Sequence, residues 1–194
     1  MHKTLGYDNF YYYDKDYKLD DMIGLGLSDK SFFRQSAKII KKISEKHNKY
    51  YGLSIMLTNH TPFSDIEKFD YSVDIINDEN TEPTSWLEGT KIGNYLKSVH
   101  YADEAIGELI NLLEEEGLLE NTIIVLYGDH DSKLKQSEFK KLYESEYYES
   151  VLIDKEDTVG TIDDFTYEIN REVPFIIWSP DTVNTKYNKE IKIN

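Results

Sequence analysis

Apolar residues recur along this chain at two spacings, and each spacing predicts a different element. Phe32, Phe33, Ala37, Ile40 and Ile43 follow Ser28-Asp29-Lys30-Ser31 at helical intervals. Ser and Asp there can accept hydrogen bonds from the free amides of a first turn, so a helix is predicted to start at that point and to end near Lys46. The longest periodic stretch runs from about Lys91 to Glu116. In it Ile92, Tyr95, Leu96, Val99, Ala102, Ile106, Leu109, Ile110 and Leu113 form one apolar stripe, and Gly117 is well placed to cap its end.

Three shorter apolar runs read as strands: Tyr51 to Leu57, Thr122 to Tyr127, and Val173 to Trp178. The second is β-branched and continuous rather than alternating, the pattern of a strand covered on both faces in a parallel sheet. Pro174 near the start of the third is a permitted position. Helix, short turn, then buried strand is the second half of a βαβ unit, so the chain is predicted to be α/β with helices packed on the sheet. Residues 64 to 90 are polar and carry no clear periodicity. Residues 131 to 171 are polar and acidic, with a helix predicted from Gln136 to Glu146. The acidic residues Asp154, Glu156, Asp157, Asp163 and Asp164 in this insertion read as a solvated surface excursion.

The length of 194 residues suits one domain, and 39% hydrophobic against 30% charged residues marks a globular chain. The formal net charge of -15 argues against nucleic acid and against adhesion to an anionic membrane surface. It leaves room for a phosphate site, because a bound metal ion inverts the local field. The absence of cysteine removes disulfides, zinc–thiolate sites and thiol nucleophiles. No apolar run reaches transmembrane length and the first residues given do not read as a secretory signal, so targeting information is expected to lie upstream if the protein is exported.

In open α/β sheets ligands bind beyond the carboxyl ends of the strands. Two of the three predicted strands end in residues suited to chemistry, Asn59-His60 and Gly128-Asp129-His130. Asp129 and His130 offer one hard oxygen and one imidazole nitrogen, which suits Zn²⁺ or Mn²⁺ and, less well, Mg²⁺. Gly128 would let the backbone turn sharply beside them. By spacing alone two readings stand: half of a metal site, or an Asp that caps a turn next to a His satisfied in a polar loop. His60 could contact a phosphate oxygen or a metal, or hydrogen-bond to backbone. His100, next to the apolar stripe, reads as a helix-buried residue behind a site rather than a ligand. No Ser/His/Asp elbow, phosphate-cradling Gly loop or His-Glu-x-x-His pattern is present.

Several segments, in order, resemble those of lipoteichoic acid synthases and related sulfatase-like phosphoglycerol transferases of the alkaline-phosphatase superfamily. Leu5-Gly6-Tyr7-Asp8-Asn9-Phe10 resembles "LGYD-x-F". Gly26-Leu27-Ser28-Asp29-Lys30-Ser31-Phe32-Phe33 resembles "GL-x-DK-x-FF". Leu57-Thr58-Asn59-His60-Thr61-Pro62-Phe63 resembles "L-[ST]-NH-x-PF". Tyr95-Leu96-Lys97-Ser98-Val99-His100-Tyr101-Ala102-Asp103 resembles a long-helix stretch. Ile124-Val125-Leu126-Tyr127-Gly128-Asp129-His130 resembles the metal-binding "IV-x-YGDH", and Val173-Pro174-Phe175-Ile176-Ile177 the strand after it.

The resemblance implies an alkaline-phosphatase/sulfatase-like sheet with flanking helices. It implies that a threonine attacks phosphatidylglycerol, helped by one divalent ion, most often Mn²⁺, with Mg²⁺ or Zn²⁺ as alternatives. Asp129 and His130 are then metal ligands, and His60 contacts the substrate phosphate and supports catalysis. Sulfatases and phosphoethanolamine transferases, which share the Asp-His pair and act on sulfate esters or other phosphodiesters, are the alternative, as is a non-catalytic sulfatase-like module. The family's nucleophile and its acidic metal ligand precede the "LGYD" stretch, and a further helix follows the last strand. Residues 1–194 are therefore expected to be a partial catalytic domain, truncated at both ends, that binds metal weakly or not at all and is inactive alone. Its parent would sit at the extracellular face of the cell membrane. An exposed sheet edge would favour self-association.

Overall fold

Ser28 opens the first helix, α1 (Asp29–Ser44), and its hydroxyl accepts the Ser31 amide at 3.2 Å. The computed structural model describes residues 2–65, 68–69, 87–143 and 173–180. The expectations for 144–172, including its five acidic residues, lie outside the described residues. The second helix, α2 (Lys91–Glu115), is capped by Thr90, whose hydroxyl accepts the Gly93 amide at 3.0 Å. It stops at Gly117, which takes φ +65°. There the Gly117 amide bonds to Glu114 O and the Leu118 amide to Leu113 O, the paired closure that a left-handed glycine allows.

Helices α1 and α2 pack together. Their ion pairs ascend in step, Lys30 with Glu104 at 2.6 Å, Arg34 with Glu108 at 3.2 Å, and Lys41 with Glu116, so the two run parallel. Each pair is partly exposed and adds about 1 kcal/mol or less, so their effect is on register rather than stability. The buried side of α2 is Ser98, Tyr101, Ala102 and Ala105, and that of α1 includes Ser36 and Ala37. The expected stripe is met in part: Ile92, Ala102 and Leu113 are buried, Ile106, Leu109 and Ile110 are half-buried, and Val99 is exposed. Small side chains let the two helices approach closely, and a count of large apolar residues misses that. His100 is exposed beside Glu104, which corrects its reading as a buried residue.

Among the described residues, four short strands form two pairings. β1 (Met22–Ile23) and β2 (Gly26–Leu27) form an antiparallel hairpin turning through Gly24 at φ +59°. β3 (Ile124–Tyr127) pairs antiparallel with β4 (Phe175–Trp178), placing Val125 opposite Ile177 and Tyr127 opposite Phe175. The expectation of a strand covered on both faces is not met within the described chain: Ile123, Val125, Tyr127, Phe175, Ile176 and Ile177 are all exposed. Residues 51–57 form no strand, and Tyr51, Leu53 and Ile55 face solvent, Ile55 at 64% exposure. An apolar run records a surface suited to burial, and the burial itself needs a neighbour. α3 (Gln136–Tyr143) matches the start of the helix predicted there.

Phe63, Leu87, Ile92 and Leu134 form a buried cluster, with Tyr95, Leu96 and Phe139 packed against it. This cluster joins the loop after residue 57, the first turn of α2 and the loop after β3. No described helix is long and apolar enough to cross a membrane.

Candidate metal and phosphate site

The two loops singled out in the sequence converge. His60 and His130 lie with ring centroids 6.1 Å apart and planes at 86°, edge to face. The apolar cluster explains this meeting, because Phe63 anchors the His60 loop and Leu134 the His130 loop to the same side of α2. Neither interaction is local in sequence.

Each histidine is held in the same way. His60 Nδ1 lies 2.6 Å from the Thr61 carbonyl, and His130 Nδ1 lies 2.6 Å from the Asp131 carbonyl. A carbonyl can only accept, so each Nδ1 donates its proton there and each Nε2 is left as the ring atom that can meet a ligand. A metal-binding histidine is oriented by this same second hydrogen bond. His130 Nε2 stands 3.8 Å from Asp129 Oδ1, and the Asp129 side chain is 80% exposed. One ion bonded to both atoms at about 2.1 Å fits between donors at that separation. The donor pair therefore fits a divalent ion, with most of the coordination sphere open. Among the described residues no group of three or more His, Asp or Glu side chains is gathered for a metal.

Gly128 proves necessary for a different reason from the one expected. Its φ is not among the positive values, so no special turn is involved. A Cβ at 128 would sit 2.8 Å from Val173 Cβ, inside contact distance, while the Gly128 amide donates to Pro174 O at 3.1 Å. The two residues that lead into β4 thus lie against residue 128 and fix where Asp129 begins.

The sequence missed the role of Asp29. It was expected to help cap α1, but Ser28 does that. The Asp29 carboxylate instead accepts the Leu57 amide at 2.9 Å and the Thr58 amide at 3.2 Å, and its own amide donates to Thr58 Oγ1 at 2.9 Å. The acidic residue in a "DK" pair looks like an ordinary first-turn carboxylate, so no local signal marks this. Burial raises the Asp29 carboxyl above the usual carboxylate range, opposed by the Leu57 and Thr58 amides and the Thr58 hydroxyl. The folded chain then holds that proton more tightly than the unfolded chain does. The Asp29 contribution to stability is fullest below its unfolded value and declines as pH rises through the folded one. As pH rises above the ordinary aspartate value of about 4, wild type is expected to lose stability relative to Asp29→Asn, read from urea midpoints. A gap moving the other way would contradict the sign.

These elements and this convergence define a protein of mixed helix and strand with a candidate cation site at the end of β3. The family model described as Sulfatase matches residues 1–193, and the chain belongs to that family. It is 37% identical over 133 residues to the lipoteichoic acid synthases of Staphylococcus aureus strains USA300 and NCTC 8325, covering 67% of this chain and 18% of each relative. The chain therefore spans less than a fifth of the length of these curated relatives. Among solved structures it is similar to the lipoteichoic acid synthase LtaP from Listeria monocytogenes. That match has a TM-score of 0.67 and 24% identity, and covers 92% of this chain and 39% of that one, a likeness of fold.

Proposed function

We propose that Asp129 and His130 hold a divalent ion, Mn²⁺ in first place, and that His60 binds the phosphate of a phosphodiester beside it. The reaction served is transfer of phosphoglycerol from phosphatidylglycerol to a lipoteichoic-acid-like polymer at the extracellular face of the cell membrane. The observation that carries this reading is the meeting of His60 and His130 with both Nδ1 atoms tied to backbone carbonyls. The 37% identity to lipoteichoic acid synthases supports the choice of phosphoglycerol over a sulfate ester. A divalent ion, when bound, neutralises phosphodiester charge and lowers the pKa of an attacking hydroxyl. In a chain of net charge -15 the ion also offsets repulsion of an anionic substrate. His60, protonated at Nε2, would donate to a phosphate oxygen.

The roles proposed for Asp129, His130 and His60 are binding roles, so the test is binding rather than turnover. Glycerol phosphate titrated by calorimetry is expected to bind only when Mn²⁺ is present. His60→Ala is expected to weaken that step by about tenfold to a hundredfold, the value of a hydrogen bond to a charged group, while leaving Mn²⁺ binding intact. Glycerol phosphate binding that ignores either Mn²⁺ or His60 would overturn the reading.

The exposed apolar ribbon bears on association. Val125, Tyr127, Phe175 and Ile177 present paired apolar side chains to solvent. A surface of this kind is an interaction site, and we propose that isolated chains self-associate through it. Sedimentation velocity is expected to show concentration-dependent oligomers that Ile177→Lys disperses. A monodisperse wild-type monomer would contradict this.

A further inference from the structure

Asp29 is 1% exposed. A buried carboxylate is costly unless its oxygens are hydrogen-bonded, so the fold must use it for something. It does not serve the cap of α1, where Ser28 already accepts the Ser31 amide. The three described bonds that leave its helix all cross to one dipeptide. Oδ1 takes the Leu57 amide, Oδ2 the Thr58 amide, and the Asp29 amide gives its proton to Thr58 Oγ1. These bonds fix the backbone of Leu57 and Thr58 against the start of α1.

The His60 turn is built directly on that clamped pair. The His60 amide donates to Leu57 O at 3.1 Å, and the Phe63 amide donates to His60 O at 3.2 Å. Residues 51–57 join no strand, so no β ladder holds the chain on that side. On the amino-terminal side, then, the described support for the His60 turn comes from Asp29.

We propose that Asp29 is a positioning residue for His60, its carboxylate clamping the Leu57–Thr58 amides so that the His60 ring stays beside His130. This rests on the reading of His60 as a phosphate ligand only for its functional consequence; the clamp itself is a structural claim. Asp29→Asn keeps the shape of the side chain but turns one of its two acceptor atoms into a donor facing an amide. Thr58→Val keeps the shape of its partner and removes the acceptor for the Asp29 amide.

The experiment uses the 194-residue chain. Ring-proton NOEs between His60 and His130 report position, and calorimetry with Mn²⁺ and then glycerol phosphate reports function. In Asp29→Asn the NOE is expected to vanish and glycerol phosphate affinity to fall by at least about tenfold, the usual cost of losing an orienting partner, with Mn²⁺ affinity unchanged. Thr58→Val is expected to shift both readouts in the same direction by less, and it decides the matter if Asp29→Asn does not fold. Phe33→Leu, a buried change on the same helix, is expected to lower thermal stability and leave both readouts alone. An unchanged NOE in a folded Asp29→Asn, or in Thr58→Val when that variant decides, would overturn the proposal. If wild type binds no glycerol phosphate, the phosphate reading fails, and loss of the NOE on Asp29→Asn still establishes the clamp.

Discussion

His130→Ala is expected to abolish Mn²⁺ binding by this chain, and Asp129→Ala to do the same. The two side chains supply the described donors, 3.8 Å apart, and most of the space around them is open. With so few protein ligands the starting affinity is expected to be weak, in the millimolar range or weaker. Removing an orienting partner behind a ligand already costs about tenfold to a hundredfold, so removing a ligand itself should cost at least that and take binding below detection. Electron paramagnetic resonance of free Mn²⁺ during titration measures this directly. His60→Ala serves as the contrast, since it should leave the Mn²⁺ curve in place. Tight stoichiometric binding that survives both Asp129→Ala and His130→Ala would remove the site.

Phe63→Ala is expected to destabilise the chain by about 3–5 kcal/mol, the cost of emptying a buried aromatic position. Phe63 is 2% exposed, packs with Leu87, Ile92 and Leu134, and meets the Tyr95 ring at 5.3 Å. Since a domain of this size is stable by only about 5–15 kcal/mol, the change removes a large share of the total. Leu134→Ala is expected to cost about 2–5 kcal/mol by the same cavity argument. Both should also separate His60 from His130, because each residue anchors one of the two loops to α2. Urea unfolding gives the stability and ring NOEs give the separation. A loss below about 1 kcal/mol, the level of an ordinary surface change, would mean that the cluster does not hold the loops.

The parts legible in the sequence are those fixed by neighbours within a few residues. Ser28, Thr90 and Gly117 mark helix ends because capping involves amides three to five positions away. The run from Ile124 to Tyr127 could be read as a strand, and Asp129-His130 as a polar pair at its end. Parallel pairing was not legible, since β3 lies antiparallel to β4. The helix seam was legible only in part, since Ala102 lies buried as its stripe implies, while Ser98 and Ala105 are buried without belonging to the stripe and Val99 is exposed. Residues 51–57 show the same limit from the other side, because a strand-like composition forms no strand where no partner pairs with it.

By itself, then, the sequence determined which segments are helical, that Asp129 and His130 follow the strand ending at Tyr127, and which known family the chain resembles. The tertiary structure decided which of those residues meet. Phe63 and Leu134 bring His60 to His130, the approach of Val173 requires glycine at 128, and Asp29 leaves its own helix to hold Leu57 and Thr58. These are contacts between residues far apart in the chain. They follow from how buried surfaces and unsatisfied amides find partners in three dimensions, which no local pattern encodes.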